Sequence, residues 1–238
     1  MTAVAPTAAS DAPLTAQEVF DSIGPAYEDA FAGLPEQTQS VEWLLAQLKD
    51  AGAQSARFVD IGCGTGRPVC LSLANAGHDV LGIDVSAVMV AAARERVPNA
   101  RFEQMDMCDF NPPQSSNDAA SVYFSLIASV TQDDIRRCLA KIYRLLRPGG
   151  FFVFATVPED AESMHIKWMG QSVTVSSQYL AYSRMRLCWQ SRGLGLKSFI
   201  TRSQSSPPRE KRLVSVRNQR CGRSLICLCR YERKPPIS

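Results

Sequence analysis

The chain has 238 residues, of which 45% are hydrophobic and 21% are charged, and its formal net charge at pH 7 is +3. This length and composition fit a single folded domain with short additions. No apolar run is long enough to cross a bilayer, which excludes a protein with a membrane-spanning helix.

Residues 1–13 are rich in Ala, Pro, Thr and Ser, and the first basic residue of the chain is Lys49. Secretory signal peptides and transit peptides both carry basic residues near their start, so neither is predicted. We expect a disordered leader over 1–13, a folded domain with an N-terminal helical lid over 14–175, and a cytoplasmic protein.

Two helical segments are predicted before the first strand. Thr15 and Glu18 have the spacing of a helix capping box, and apolar residues follow at helical intervals until Gly24 and Pro25 interrupt them. The second helix, over 36–51, carries apolar residues on one face and is expected to be scaffold.

A buried strand that ends in the motif DIGCGTG at 60–66 is the most informative segment. A dinucleotide-binding fingerprint requires a glycine at the sixth position of the turn, where this chain has Arg67. The glycines predict a tight turn and a close approach of bare backbone to a ligand. The start of the next helix favours an anionic group, so the loop suits a nucleoside that carries an amino acid better than it suits NAD.

Strand and helix patterns alternate after this loop. The strand over 80–84 ends in Asp84, whose carboxylate is placed to accept hydrogen bonds from both hydroxyls of a ribose. Further strands are expected at 120–126 and 151–156, separated by a helix over 133–146 that the sequence RPGG ends. This alternation predicts a parallel α/β sheet that binds its ligand beyond the carboxyl ends of the strands.

Residues 57–156, with DIGCGTG as the first motif and the later motifs in order, resemble class I S-adenosylmethionine-dependent methyltransferases. The resemblance implies a Rossmann-like α/β sheet with helices on both faces and S-adenosyl-L-methionine as the cofactor. The residues that it implies at the cofactor are Tyr27, Asp60, Gly62, Cys63, Gly64, Gly66, Asp84, Asp106, Met107 and Phe124.

Several of these roles have alternatives. Asp106 is expected to accept a hydrogen bond from the adenine amine and Met107 to meet the ring edge, with Asp109 as the competing acceptor. Asp60 either orients the glycine loop through backbone N–H groups or approaches the amino group of the cofactor. Tyr27 matches an aromatic residue that closes over the methionine end in similar enzymes, and the alternative is that it only docks its helix on the core.

The 20–31 segment, the sequence GTGRPV at 64–69 and the 123–131 run resemble small fungal methyltransferases of secondary metabolism, of the ustiloxin and phomopsin N-methyltransferase type. This resemblance implies a small molecule or a modified peptide as the acceptor, with methylation on nitrogen. The Asn-Pro-Pro-Tyr signature of enzymes that methylate planar amines is missing after the fourth strand.

Positioning and desolvation can supply much of the acceleration of methyl transfer, and a base is needed only for a poorly ionised hydroxyl or a protonated amine. His165 follows the fifth strand and is the candidate catalytic base, while an exposed loop histidine without a catalytic role is the competing interpretation. Cys221, Cys227 and Cys229 do not have the spacing of a zinc site, so no metal is predicted.

Charge divides the chain: 176–238 holds 14 basic and two acidic residues, whereas 1–175 holds 12 basic and 21 acidic ones. The basic tail either binds nucleic acid, is a disordered extension, or arises from a shifted or unspliced reading frame. We favour the last interpretation. It predicts at most one short strand after residue 175, within 221–230, and an antiparallel sheet edge that is incomplete or disordered.

Two other functions remain open beside a small-molecule methyltransferase. A nucleic-acid methyltransferase would use the basic tail, although no regular arrangement of aromatic residues offers a stacking platform there. A non-catalytic relative would bind the cofactor and transfer nothing. Salt dependence of substrate binding distinguishes the first, and cofactor binding without turnover distinguishes the second.

Overall fold

The computed structural model describes residues 14–31, 35–126, 130–156, 163–168, 171–176, 195–200, 214–218 and 222–232. The expected leader over 1–13 lies outside these residues. Among the helices of the described part, none has the length and apolar character needed to cross a membrane.

Three helices precede the sheet: α1 (Ala16–Ile23), α2 (Ala26–Phe31) and α3 (Pro35–Asp50). The predicted capping box at the start of α1 is confirmed, because the Thr15 hydroxyl accepts from the Glu18 N–H and the Glu18 carboxylate accepts from the Thr15 N–H. Gly24 ends α1 with a φ of 56°, and Pro25 precedes α2. The predicted scaffold helix is confirmed as α3 to within a residue at each end.

The central part of the chain alternates strands and helices, as the sequence predicts. Its elements are β1 (Arg57–Ile61), α4 (Val69–Asn75), β2 (Asp79–Asp84), α5 (Ala87–Arg96), β3 (Arg101–Gln104), β4 (Asn117–Tyr123), α6 (Gln132–Leu145) and β5 (Leu146–Thr156). The remaining described strands are β6 (Ser163–Trp168), β7 (Gln171–Ser176), β8 (Gly195–Ile200), β9 (Val214–Asn218) and β10 (Gly222–Glu232).

The sheet has the strand order β3-β2-β1-β4-β5-β10-β8, and β9 also pairs with β10. The first five strands pair in parallel, which confirms the predicted parallel α/β sheet. The chain adds strands outwards from β1 in one direction and then continues from β4 in the other. The order therefore reverses between β1 and β4, where open α/β sheets bind their ligands.

Three strands follow residue 176, so the prediction of at most one short strand there is wrong. β10 pairs antiparallel with β5 along one side and with β8 and β9 along the other. The sequence of β10 contains the run LICLC at 225–229. A continuous apolar run is typical of a strand that is covered on both faces of its sheet, and a search for alternation overlooks it. Whether the antiparallel edge is complete stays a prediction, because 177–194, 201–213 and 219–221 lie outside the described residues.

Two predicted boundaries also change. The fourth strand ends at Tyr123 because Phe124 has a φ of 53°, a left-handed conformation that cannot continue a strand. The sequence RPGG at 147–150 follows the end of α6, as predicted, and has no partners in β4, whose pairing with β5 passes from Leu146 to Phe151. It lies inside β5, where Gly149 has a φ of 85° and the register with β4 shifts between Asn117 and Ala119.

Two apolar clusters fill the faces of the sheet. One joins α3 and α4 to β1 and β5 through buried side chains that include Leu44, Leu73 and Phe58. The other lies beneath α6, where Leu139 and Ile142 pack against the remaining face of the central strands. Helices on both faces hold the carboxyl ends of β1, β2 and β4 in a fixed relation.

Truncation of the buried face of α6 tests this layer. Leu139 is 1% exposed, so Leu139→Ala should lower the free energy of unfolding by about 2–5 kcal/mol through lost burial and a cavity. Leu139→Met keeps most of the volume and should cost less than about 1.5 kcal/mol. Urea unfolding of both variants measures the difference, and equal losses would place Leu139 outside the packed core.

Candidate functional site

A cavity of about 450 Å³ lies at the carboxyl ends of the central strands, beneath α1 and α2. Nine of the ten residues predicted at the cofactor line it, and Gly66 is the exception. The nine are Tyr27, Asp60, Gly62, Cys63, Gly64, Asp84, Asp106, Met107 and Phe124. The fold therefore brings together residues that are up to about 100 positions apart in the chain.

The three glycines of the loop have positive φ values but different surroundings. A Cβ added at Gly62 would lie 1.9 Å from the Cβ of Ser125, and one at Gly66 would lie 3.0 Å from the Phe102 ring. A Cβ at Gly64 would meet nothing within 4 Å. The prediction that bare backbone approaches a ligand therefore fits Gly64, whereas Gly62 and Gly66 are glycines because protein atoms pack against them.

Asp84 ends β2 and joins two backbone segments at the cavity. One carboxylate oxygen accepts from the Gly64 N–H at 2.8 Å, and the other accepts from the Ser86 N–H at 2.9 Å. Burial raises the pKa of this carboxyl, and the N–H groups of Ser86 and Gly64 oppose that rise. Each oxygen keeps a second lone pair, so the carboxylate can accept from a ligand while it holds the loop.

Asp60, at the end of β1, is 3% exposed. Its carboxylate accepts from the Ser121 hydroxyl at 2.5 Å and from the Cys70 thiol at 3.6 Å. These contacts do not match the predicted alternative in which Asp60 holds the backbone of the glycine loop, which Asp84 does instead. Burial raises the pKa of Asp60 to about 6, against the two hydrogen bonds.

Cys63 lies in the loop, but its side chain is buried in the core below it. A Cβ at Gly82 would lie 2.8 Å from the Cys63 sulfur, so β2 carries a glycine to make room for that side chain. The expected core position of Cys70 is confirmed, since it is 0% exposed.

The opposite side of the cavity is formed by the segment after β3. The Asp106 carboxylate accepts from the Cys108 N–H at 2.7 Å, a local turn that leaves its second oxygen available for a donor. Lys141 of α6 donates to the carbonyl groups of Met107 and Cys108 and thereby holds this segment against α6. Between the two competing acceptors, Asp106 lines the cavity and Asp109 is exposed outside its lining.

The end of β4 forms the floor. The Phe124 N–H donates to the Ala155 carbonyl at 2.9 Å, and the Ser125 hydroxyl donates to the Ile61 carbonyl at 2.6 Å. Ser40 of α3 donates to the Gln37 carbonyl, so the Tyr123 hydroxyl donates to Ser40 across 2.6 Å. Burial raises the pKa of Tyr123 well above its ordinary range, and this hydroxyl stays neutral.

The lid is formed by two aromatic side chains of α1 and α2. The rings of Phe20 and Tyr27 pack edge to face, with centroids 5.6 Å apart and planes at 82°. Both residues line the cavity, and closure of Tyr27 over a ligand stays a prediction. Phe20 also packs with the small cluster around Val19, so this side chain both docks α1 and lines the cavity.

His165 lies in β6, opposite Thr174 of β7, in a separate two-stranded sheet. The competing interpretation, which placed His165 in a loop, is therefore wrong about its position. Its side chain lies outside what the structure describes, and its role as a base stays a prediction. Among the described residues, no group of three or more His, Cys, Asp or Glu side chains is arranged to hold a metal.

Several residues at the cavity were not found from the sequence. The cavity is also lined by Glu28, Ser125 and Asp134. Glu28 and Ser125 form hydrogen bonds with partners that are distant in the chain, and Asp134 belongs to the N-terminal cap of α6. Only Ser125 left a signal, because it follows a strand end two residues after Tyr123. The others required knowledge of how α2 and α6 pack.

The raised pKa of Asp60 predicts a specific pH dependence of stability. The folded state holds the proton more tightly than the unfolded chain, so this contribution is favourable at low pH and is lost as the pH rises from about 4 to about 6. Above that range the ionised group should cost on the order of 3 kcal/mol. Asp60→Asn should therefore gain stability over the wild type at about pH 8 relative to about pH 4.

Urea unfolding at the two pH values measures this change. The matched control is Asp109→Asn, since Asp109 is exposed. Parallel pH profiles for wild type and Asp60→Asn would show that Asp60 does not titrate in this way.

The central segment of the chain is similar to known proteins. Residues 58–150 match the methyltransferase domain family. The chain is 33% identical to trans-aconitate 2-methyltransferase of Variovorax paradoxus over 58% of this chain and 50% of that protein. It is 34% identical to malonyl-[acyl-carrier protein] O-methyltransferase of Pectobacterium atrosepticum over 57% and 50%. The chain thus spans about half the length of the curated relatives that it matches.

Solved structures share the architecture at low sequence identity. The complex of DhpI with SAH has a TM-score of 0.61 and 19% identity, covering 92% of this chain and 97% of that one. Magnesium protoporphyrin IX methyltransferase (ChlM) from Synechocystis PCC 6803 with bound SAH has a TM-score of 0.59 and 15% identity, covering 91% and 99%. The predicted Rossmann-like α/β fold is confirmed, and residues 58–150, with the glycine loop and both acidic strand ends, match a methyltransferase domain.

Proposed function

We propose that the protein is a class I methyltransferase that uses S-adenosyl-L-methionine. The observation that carries this proposal is the cavity at the strand-order reversal, where Gly64 is open and Asp84 and Asp106 lie on its sides. The match of residues 58–150 to a methyltransferase domain supports it, as do the similar solved structures of DhpI and ChlM with SAH.

The residues present fit this cofactor. The space above Gly64 is what a Cβ would fill, so a ligand can lie directly against the loop backbone. A cavity of about 450 Å³ is within the usual range for small-molecule sites, roughly 300–1,000 Å³. Asp84 has lone pairs for ribose hydroxyls, and the second oxygen of Asp106 can accept from the adenine amine.

When bound, the cofactor supplies an electrophilic methyl group on a sulfonium. The chain contributes binding and the exclusion of water. Phe20 and Tyr27 cover the cavity from α1 and α2, and Phe124 lies at its floor. Asp60 is buried, and its carboxylate accepts a hydrogen bond from Ser121 but has no cationic partner in the contacts described above. This carboxylate can attract the ammonium group of the amino acid part of the cofactor.

The acceptor is a small molecule or a modified peptide in secondary metabolism, methylated on nitrogen. This part of the proposal is supported by the resemblance of the 20–31 segment, the sequence GTGRPV at 64–69 and the 123–131 run to fungal N-methyltransferases. The carboxylates of the cavity wall do not decide it. Asp60, Asp84 and Asp106 are placed at the cofactor, and Glu28 and Asp134 pair with Arg96 and Arg137.

Calorimetric titration with S-adenosylhomocysteine, with NAD as a parallel ligand, tests the cofactor. Binding of the first and not of the second is expected. Asp84→Ala should weaken the binding by about 1–3 kcal/mol through lost charge-assisted hydrogen bonds. Asp79→Ala is the matched control, since Asp79 is an exposed residue at the opposite end of β2. Unchanged affinity in Asp84→Ala would move the ribose site elsewhere.

Two glycine substitutions separate folding from binding. Gly62→Ala should destabilise the fold strongly, because its Cβ would overlap Ser125, and Gly62→Ala with Ser125→Gly should recover part of the loss. Gly64→Ala should cost only about 1–2 kcal/mol of stability for its positive φ, yet abolish most S-adenosylhomocysteine binding. Thermal unfolding and calorimetry measure the two effects. Equal losses of stability at both positions would contradict the assignment of Gly64 to the ligand.

A further inference from the structure

Helices α1 and α2 form polar contacts with the two ends of α5. At the start of α5, the Asp21 carboxylate accepts from the hydroxyl of the N-cap residue Ser86 at 2.6 Å and from the Val88 N–H at 3.4 Å. Between α1 and α2, a Cβ at Gly24 would lie 3.4 Å from Val88. At the last residue of α5, the Arg96 guanidinium donates to the Glu28 carboxylate of α2.

The contact at Glu28 also reaches the glycine loop. The oxygen of Glu28 that accepts from Arg96 also accepts from the Thr65 hydroxyl at 2.9 Å. Thr65 is 4% exposed and stands between Gly64 and Gly66. The residue after Arg96, Val97, lies 3.2 Å from where a Cβ of Gly66 would be. A single carboxylate oxygen therefore joins the lid, the loop and the end of α5.

A contact of this kind is more than a surface ion pair. An isolated exposed pair would contribute little, but the Glu28 side chain is 26% exposed and its neighbour Tyr27 lines the cavity. The helix α2 has only six residues, too few to be stable without tertiary contacts. Its position over the cavity must therefore depend on what its side chains bind, and Glu28 provides two of these bonds.

We infer that Glu28 is a positioning residue, which fixes Thr65 and the glycine loop from above and holds Tyr27 over the bound cofactor. The inference has two parts. The structural part, the coupling of α2 to the loop over 62–66, rests on the contacts alone. The functional part, slower loss of the bound cofactor, also rests on the proposed function. The two parts are tested separately.

The structural part is tested without ligand by hydrogen exchange on the full chain. Glu28→Ala should speed exchange in both 26–31 and 62–66, because one bond holds both, and leave 38–50 in α3 unchanged. Faster exchange confined to 26–31 would overturn the coupling. Thr65→Val should give the same two-segment pattern, while Thr65→Ser, which keeps the hydroxyl, should behave like the wild type.

The functional part is tested with S-adenosylhomocysteine. Glu28→Ala and Thr65→Val should each raise its dissociation constant and dissociation rate about tenfold, as expected for loss of a charge-assisted hydrogen bond. The double variant should bind no more weakly than Glu28→Ala alone, since Glu28→Ala already removes the bond that Thr65→Val removes. Glu42→Ala, an exposed glutamate on α3, should stay within about twofold of the wild type.

The outcomes separate the two proposals. Wild-type protein that binds no S-adenosylhomocysteine contradicts the proposed function, and the exchange pattern then still decides the role of Glu28. Wild-type binding with unchanged affinity and dissociation rate in Glu28→Ala overturns the positioning role, as do effects of the two single variants that add fully. Thermal unfolding of every variant confirms that the binding measurements are made on folded protein.

Discussion

The hydrogen bond from the Gly64 N–H to the Asp84 carboxylate is the interaction on which the site depends. It joins the turn after β1 to the end of β2, so the loop cannot shift without the neighbouring strand. The same carboxylate receives the Ser86 N–H and thereby sets the start of α5. Because α5 in turn anchors α1 and α2, the position of the lid follows from the end of one strand.

Two buried carboxylates at adjacent strand ends therefore have different functions. Asp84 is compensated by two backbone N–H groups and organises the loop. Asp60 receives only a hydroxyl and a thiol, which compensate its burial less well, and its pKa rises to about 6. Neighbouring positions in a parallel sheet can thus carry one acid that is held by backbone N–H groups and one that is held only by side chains.

The sequence predicted the parts of the site that follow directly from a strand end. Asp84 and Asp106 could be found because strand, turn and acid are adjacent in the chain, and the open backbone at Gly64 follows from its motif. The bond between Glu28 and Thr65 joins segments 37 residues apart, and nothing local in either marks it. The end of β4 was misplaced because Phe124 has a left-handed conformation that its residue type does not indicate.

The pairing of β5 with β10 has a consequence for the order of folding. Val153 pairs with Leu228, which lies 75 residues further along the chain, whereas β1, β2 and β3 follow one another closely. Closing a loop of that size costs more entropy than closing the short connections between β1, β2 and β3, so the pairing of β5 with β10 forms more slowly. The parallel half of the sheet, which holds the glycine loop and Asp84, is therefore able to assemble first. During synthesis, the part of the cavity that the parallel strands form would then exist before the antiparallel strand β10 emerges from the ribosome.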